Sequence, residues 1–294
     1  MTCSDLWTCL VGPLEFGFMR NALVASIMIS VICAVIGAFV VLQDLSFIGD
    51  ALAHASFPGV VIAFLLKLNI TVGGTLFGIA TALGIGYVTR RSKVSLDTAI
   101  GVLFAGTFAG GVLLLSTVKT YTQDLFGLLL GDVLAISQRD MLVVLGTGLL
   151  VVGIIAALYK ELVLMSFDPT AAEVQGLPTG VLHYLLLALL AVTVVVAIQS
   201  VGIVLVVALL VTPAATGFLV VRRFHHLMLW GAVQGTLASI TGIYVSFYLN
   251  VASGATIVVV NTLIFALVLL LSGWWGRLQA RLMPAEHEPS GERR

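Results

Sequence analysis

Nine apolar stretches, most of them close to the length that crosses a bilayer, constrain this chain more than any other feature. They occupy residues 22–42, 51–66, 72–88, 99–116, 141–159, 181–198, 201–221, 227–249 and 255–272. A helix rises 1.5 Å per residue and the hydrocarbon layer is about 30 Å thick, so about 20 apolar residues make one crossing. Inside lipid each backbone N–H and C=O must be paired, and a helix pairs them within its own segment. Only 10% of the 294 residues are charged and 60% are hydrophobic, whereas a soluble domain is about a quarter charged. The expected fold is therefore all-α, a polytopic transmembrane helical bundle of about eight to nine spanning helices. A tenth run, 125–136, is too short to cross and is expected to be a re-entrant or surface helix.

The few charges orient the bundle. Arg90, Arg91 and Lys93 follow the third run, Lys160 the fifth, Arg222 and Arg223 with His225 and His226 the seventh, and Arg277 and Arg281 the last. Basic residues collect on the cytoplasmic side. Placing all four groups there requires that 125–136 does not cross, and leaves the N-terminus outside and the C-terminus inside. Arg20 runs against this for the first span. Residues 1–20 lack the basic start and small-residue cleavage site of a signal peptide and read as an interfacial segment, with Trp7 as an anchor. Residues 21–278 form one membrane domain. Residues 279–294 are polar, with Pro and Gly, and read as a disordered tail. Net formal charge is zero, and no nucleic-acid partner is expected.

Against this background, Asp50 and His54 stand out in the segment FIGDALAHASFP (47–58). Four residues apart, they share one helix face. A carboxylate oxygen and an imidazole nitrogen form a mixed donor set suited to a borderline transition-metal ion, and ionisable groups at membrane depth point to function. The spacing alone leaves two readings open: a metal site, or an Asp capping a helix start with a His bonded to a neighbouring helix. Pro58 and Gly59 just beyond His54 interrupt the helix, as beside transport paths.

A second motif is SFDPTAAEVQGLP (166–178). Asp168 then Pro169 is an N-cap followed by Pro at the first helical position. Gly176 fits the C-terminal cap and Pro178 ends the element. A short cytoplasmic helix over 169–175 follows, either a plain connector or a docking helix for a partner. Elsewhere bland readings suffice. Thr212 and Pro213 mark a kinked packing helix, Ser253 or Thr256 a cap, Asp97 and Asp132 helix ends or loops, and His225 with His226 an exposed loop. Cys33 is a packing residue, and Cys3 with Cys9 make a weak metal signal. There is no G-x-x-x-x-G-K-[ST] phosphate loop, no H-E-x-x-H and no G-x-S-x-G, so neither ATP hydrolysis by that route nor intramembrane proteolysis is expected.

Taken together, FVVLQDLSFIGDALAHASFPGV (39–60), SFDPTAAEVQGLP (166–178), VGIVLVVALLVTPAAT (201–216) and SGATIVVV (253–260) resemble the membrane permease subunits of the ABC importers for zinc, manganese and iron(II). The resemblance covers about residues 16–278. It implies a homodimeric permease that is not itself an enzyme. A separate cytoplasmic ABC ATPase would bind ATP and dock on the 168–176 helix, and a separate extracytoplasmic protein would deliver metal. It also implies that Asp50 and His54 hold metal in the pathway, and that Asp168, Pro169, Glu173 and Gly176 meet the ATPase. Two positions depart from the family pattern. Thr170 stands where an acidic residue is common, and Gln43 with Asp44 where basic residues are common.

The resulting expectation is the permease of an ATP-driven importer of manganese, zinc or iron(II) in the cytoplasmic membrane of a prokaryote, with no tightly bound cofactor. Manganese is favoured slightly, because no soft thiolate lies near the pair. The rivals are an ion-gradient-driven secondary transporter with Asp50 and His54 as a proton relay, a permease for an iron chelate or cobalamin, and a membrane scaffold.

Overall fold

A computed structural model describes residues 11–117 and 133–282, with side chains as far as residue 272. Trp7, Cys3, Cys9, Asp132 and most of the 125–136 run lie outside the described residues. Of that run, Val133–Ala135 form a single 3₁₀ turn.

The described residues form helices joined by short connections, with no strand among them. In chain order the helices are α1 Gly17–Leu42, α2 Ile48–Ala55, α3 Phe57–Leu65, α4 Ile70–Arg91, α5 Leu96–Ser116, α6 Gln138–Ala157, α7 Tyr159–Phe167, α8 Pro169–Val174, α9 Thr179–Val201, α10 Ile203–Val220, α11 Phe224–Leu249 and α12 Ser253–Leu282. Eight segments are long and apolar enough to cross a membrane, with α2 and α3 together making one of them. α11 has the length, 26 residues, but less apolar character, because it carries polar side chains into the bundle. Ser239 meets Ser30 of α1 at 2.9 Å. Gln234 donates to Asn261 of α12 at 2.9 Å, and Asn261 donates to the Ala208 carbonyl of α10 at 3.2 Å. Such groups have no water to turn to in hydrocarbon, so they bond across helices.

Helix starts follow local chemistry. Asn69 caps α4 by accepting from the Thr71 and Val72 amides. Ser95 caps α5, with Asp97 in its first turn. Ser137 and Asp140 form a capping box on α6. α9 and α10 meet at Gly202, whose φ of 86° and ψ of 165° belong to a region open essentially to glycine alone. Pro213 sits buried inside α10, which runs on through it. α12 continues to Leu282, past the expected edge of the membrane domain at 278.

Two groups of helices frame the two motifs. α1 packs against α10 and α11, and α12 covers those two. On the other side, α3 packs on α4 and α5, α2 lies against α5 and α9, and α9 packs on α4. α3 and α4 cross with their backbones in contact at Gly59 and Gly73, where a side chain on either would enter the carbonyl oxygen of the other. Small residues are what let membrane helices approach this closely.

Candidate functional site

Asp50 and His54 both lie on α2. Its first residue is Ile48 and its N-cap is Phe47, which makes no side-chain cap bond. Asp50 is therefore inside the first turn, favourably placed for the helix dipole, but it caps nothing. The helix ends at Ala55. Ser56 turns its hydroxyl back to the Ala53 carbonyl at 2.8 Å, and Pro58 opens α3 at its second position. The interruption thus falls at Ser56, two residues before the Pro58 and Gly59 at which the sequence placed it, and those two lie inside α3.

The His54 Nε2 is 3.7 Å from the Asp50 Oδ1. The His54 side chain is 31% exposed and that of Asp50 51%, so both can be reached from outside the chain. The other imidazole nitrogen, Nδ1, is buried and has no hydrogen-bond partner among the described residues. The helix-end reading, which required His54 to bond a neighbouring helix, is not what the side chain does. The imidazole instead packs on two rings of α5, Phe104 at 5.5 Å and Phe108 at 5.4 Å between centroids. Among the described residues no cluster of three or more His, Cys, Asp or Glu side chains has metal-binding geometry. The chain offers one oxygen-bearing and one nitrogen-bearing side chain here, fewer donors than a divalent ion takes.

The second motif is built as its residues demand. α8 runs Pro169–Val174, one residue shorter than expected. Asp168 accepts from the Ala171 amide at 2.9 Å, with Pro169 following it in the first turn. At the other end Gly176, at φ 79°, accompanies a Schellman closure: its amide reaches the Glu173 carbonyl at 2.9 Å and the Leu177 amide reaches Ala172 at 3.0 Å. The Glu173 carboxylate accepts from the Thr179 hydroxyl at 2.9 Å, tying α8 to the start of α9. Ala172 is the buried residue of α8, while Val174 is 83% exposed. The helix presents its outer face, Thr170 included, free of the bundle.

The base of α8 is joined to the rest by contacts that the sequence did not signal. Phe167, which precedes Asp168, meets Phe224 of α11 edge-on at 5.8 Å. Phe224 also packs on Phe39 of α1 at 4.8 Å and near Tyr159 of α7 at 6.4 Å. Gln43, at the end of α1, donates to the Ser166 hydroxyl at 2.7 Å. α1, α7 and α11 therefore converge beneath the capped helix, at the end of the bundle that carries Lys160, Arg222 and Arg223. His225 and His226, with rings 4.1 Å apart, stand exposed beside those arginines and have no carboxylate partner among the described residues.

Residues 15–272 match the ABC 3 transport family. The chain belongs to that family. It is similar to the manganese transport system membrane protein MntC of Listeria innocua, with 42% identity over 269 residues, 92% of this chain and 96% of the relative. It is also similar to the chelated iron transport system membrane protein YfeD of Yersinia pestis, with 36% identity over 90% of this chain and 89% of the relative. Among solved structures it resembles PsaBC from Streptococcus pneumoniae in complex with Fab, at a TM-score of 0.80 and 34% identity over 90% of this chain and 95% of that one. The family and the missing phosphate loop agree: the protein is a multi-pass permease of an ABC transporter, and ATP hydrolysis belongs to a separate subunit.

Proposed function

We propose that this chain is the permease of an importer that carries a divalent metal ion, manganese first, with iron(II) and zinc as the other cargoes, across the cytoplasmic membrane of a prokaryote. The observation that carries this reading is the pairing of Asp50 with His54 on a broken helix, reachable from outside the protomer and short of a full ligand set. A second copy related by a two-fold axis would bring the ligands to two carboxylates and two imidazoles. Two carboxylates would also balance the charge of a divalent ion, removing much of the cost of holding it at membrane depth. Oxygen and nitrogen donors without thiolate bind firmly enough to select and loosely enough to release. Support for manganese comes from the donor set and from relatives named for manganese transport, with one named for chelated iron.

In this reading metal arrives from an extracytoplasmic binding protein. A cytoplasmic ABC ATPase pair docks on Asp168–Gly176, where Pro169 and the outer face of α8 are exposed. Closure of the ATPases on ATP pushes the capped helix as a unit, and Phe167 passes that displacement through Phe224 to α1 and α11.

The test is uptake of Mn, Zn and Fe(II) into proteoliposomes holding the permease with its ATPase, compared with Asp50→Ala and His54→Ala. Loss of uptake in both variants is expected. Full uptake by both removes the pair from the pathway. Uptake by the permease alone, driven by a proton or sodium gradient, would establish the secondary transporter instead.

A further inference from the structure

We propose that the Phe104 and Phe108 rings, and not a hydrogen bond, position the His54 imidazole, and that this makes it a readily released metal ligand. The inference deepens the metal reading above and depends on it. A metal-binding histidine almost always donates its second ring N–H to a carboxylate, carbonyl or water, which fixes the ring and raises its basicity. No described protein group supplies this device at His54: Nδ1 is buried without a partner among the described residues, while Nε2 faces Asp50 at 3.7 Å.

What holds the ring is aromatic. Phe108 approaches at 5.4 Å with an interplanar angle of 77°, and Phe104 at 5.5 Å with 55°. They are four residues apart on α5 and so present one face. Phe104 and Phe108 stack at 6.2 Å, and the buried Phe57 braces Phe108 at 5.8 Å. Gly111 sets the depth of α5, because a methyl group there would stand 2.8 Å from the Phe57 ring and 3.0 Å from the Pro58 nitrogen. The wall is thus registered against the break between α2 and α3. Rings in these arrangements attract beyond their buried area, enough to bias one rotamer. They give the imidazole no anion to lean on, so its nitrogen stays a weaker donor than a carboxylate-backed one.

The experiment measures Mn²⁺ binding by the permease–ATPase complex in nanodiscs, reading free Mn²⁺ by electron paramagnetic resonance, alongside uptake kinetics. Phe104→Leu and Phe108→Leu are expected to weaken Mn²⁺ binding about 10-fold and to raise the uptake KM with little change in kcat. Phe108→Tyr, which keeps the ring, is expected to bind as the parent does. Phe104→Met serves where a Leu variant fails to assemble, with the same weakening expected. Leu or Met variants that assemble and bind Mn²⁺ as the parent does overturn the positioning role. His54→Ala separates the two levels: unchanged Mn²⁺ binding in that variant removes the metal reading itself, whatever the phenylalanines do.

Discussion

The capped helix α8 and the Asp50–His54 pair are built on opposite principles. Around α8 the polar groups close on one another: Asp168 on the Ala171 amide, the Gly176 and Leu177 amides on carbonyls of the last turn, Thr179 on Glu173. Around His54 one ring nitrogen has no partner among the described residues and the other looks at a carboxylate too distant for a short hydrogen bond. Under the proposed function, an element that transmits force gains from being fixed by many local bonds. A site that must take up and give back an ion gains from leaving its donors uncommitted, because each bond a ligand already makes must be broken before metal binds.

Substitutions in both regions test that contrast, in falling order of expected effect. Asp50→Ala and His54→Ala should each cut metal uptake by at least about 100-fold, beyond what losing an outer-shell partner costs, while the complex keeps its ATPase docked. Co-purification of the two subunits alongside uptake checks this. Phe224→Ala removes the buried ring joining Phe167 to Phe39, a loss of about 3–5 kcal/mol in a packed interior. It should uncouple ATP hydrolysis from uptake with Mn²⁺ binding preserved, and a parallel loss of binding would mean that the two regions are not separate. Gly176→Ala forces a side chain into a left-handed conformation at a cost of about 1–2 kcal/mol, and should reduce ATPase affinity for the permease several-fold in a pull-down titration. Asp168→Ala deletes one cap bond, about 1 kcal/mol, and should give the same defect more weakly, with Asp168→Asn close to the parent because Asn also caps.

The regions differ as much in how far the sequence could be read. The α8 motif is legible because its causes lie within a few residues: Asp before Pro, then Gly and Pro, specify a start and a stop. The sequence reading missed its end by one residue, since Gln175 serves as the cap and not as the last turn. The face shared by Asp50 and His54 was legible from their spacing, and the break from Pro58 to within two residues. Phe104 and Phe108 stand four apart in FAGTF, which marks a common face but says nothing about what it meets. Phe224 gave no signal, standing among arginines and histidines that read as loop. α11 shows the limit from the other side. Its Gln, Ser and Gly residues dilute its apolar character, and only the bonds to Ser30 and Asn261 explain why they are there.

By itself the sequence determined the class of fold, most of the spanning helices, the caps of α8 and the candidate Asp50–His54 pair, because hydrophobic length, capping and the four-residue spacing act within one segment. Tertiary structure alone decided what surrounds that pair and what lies beneath α8. Bringing α5 against α2, or α11 against α1 and α7, depends on glycine contacts and ring packing between residues far apart in the chain, and no local pattern encodes the partner of a packed face.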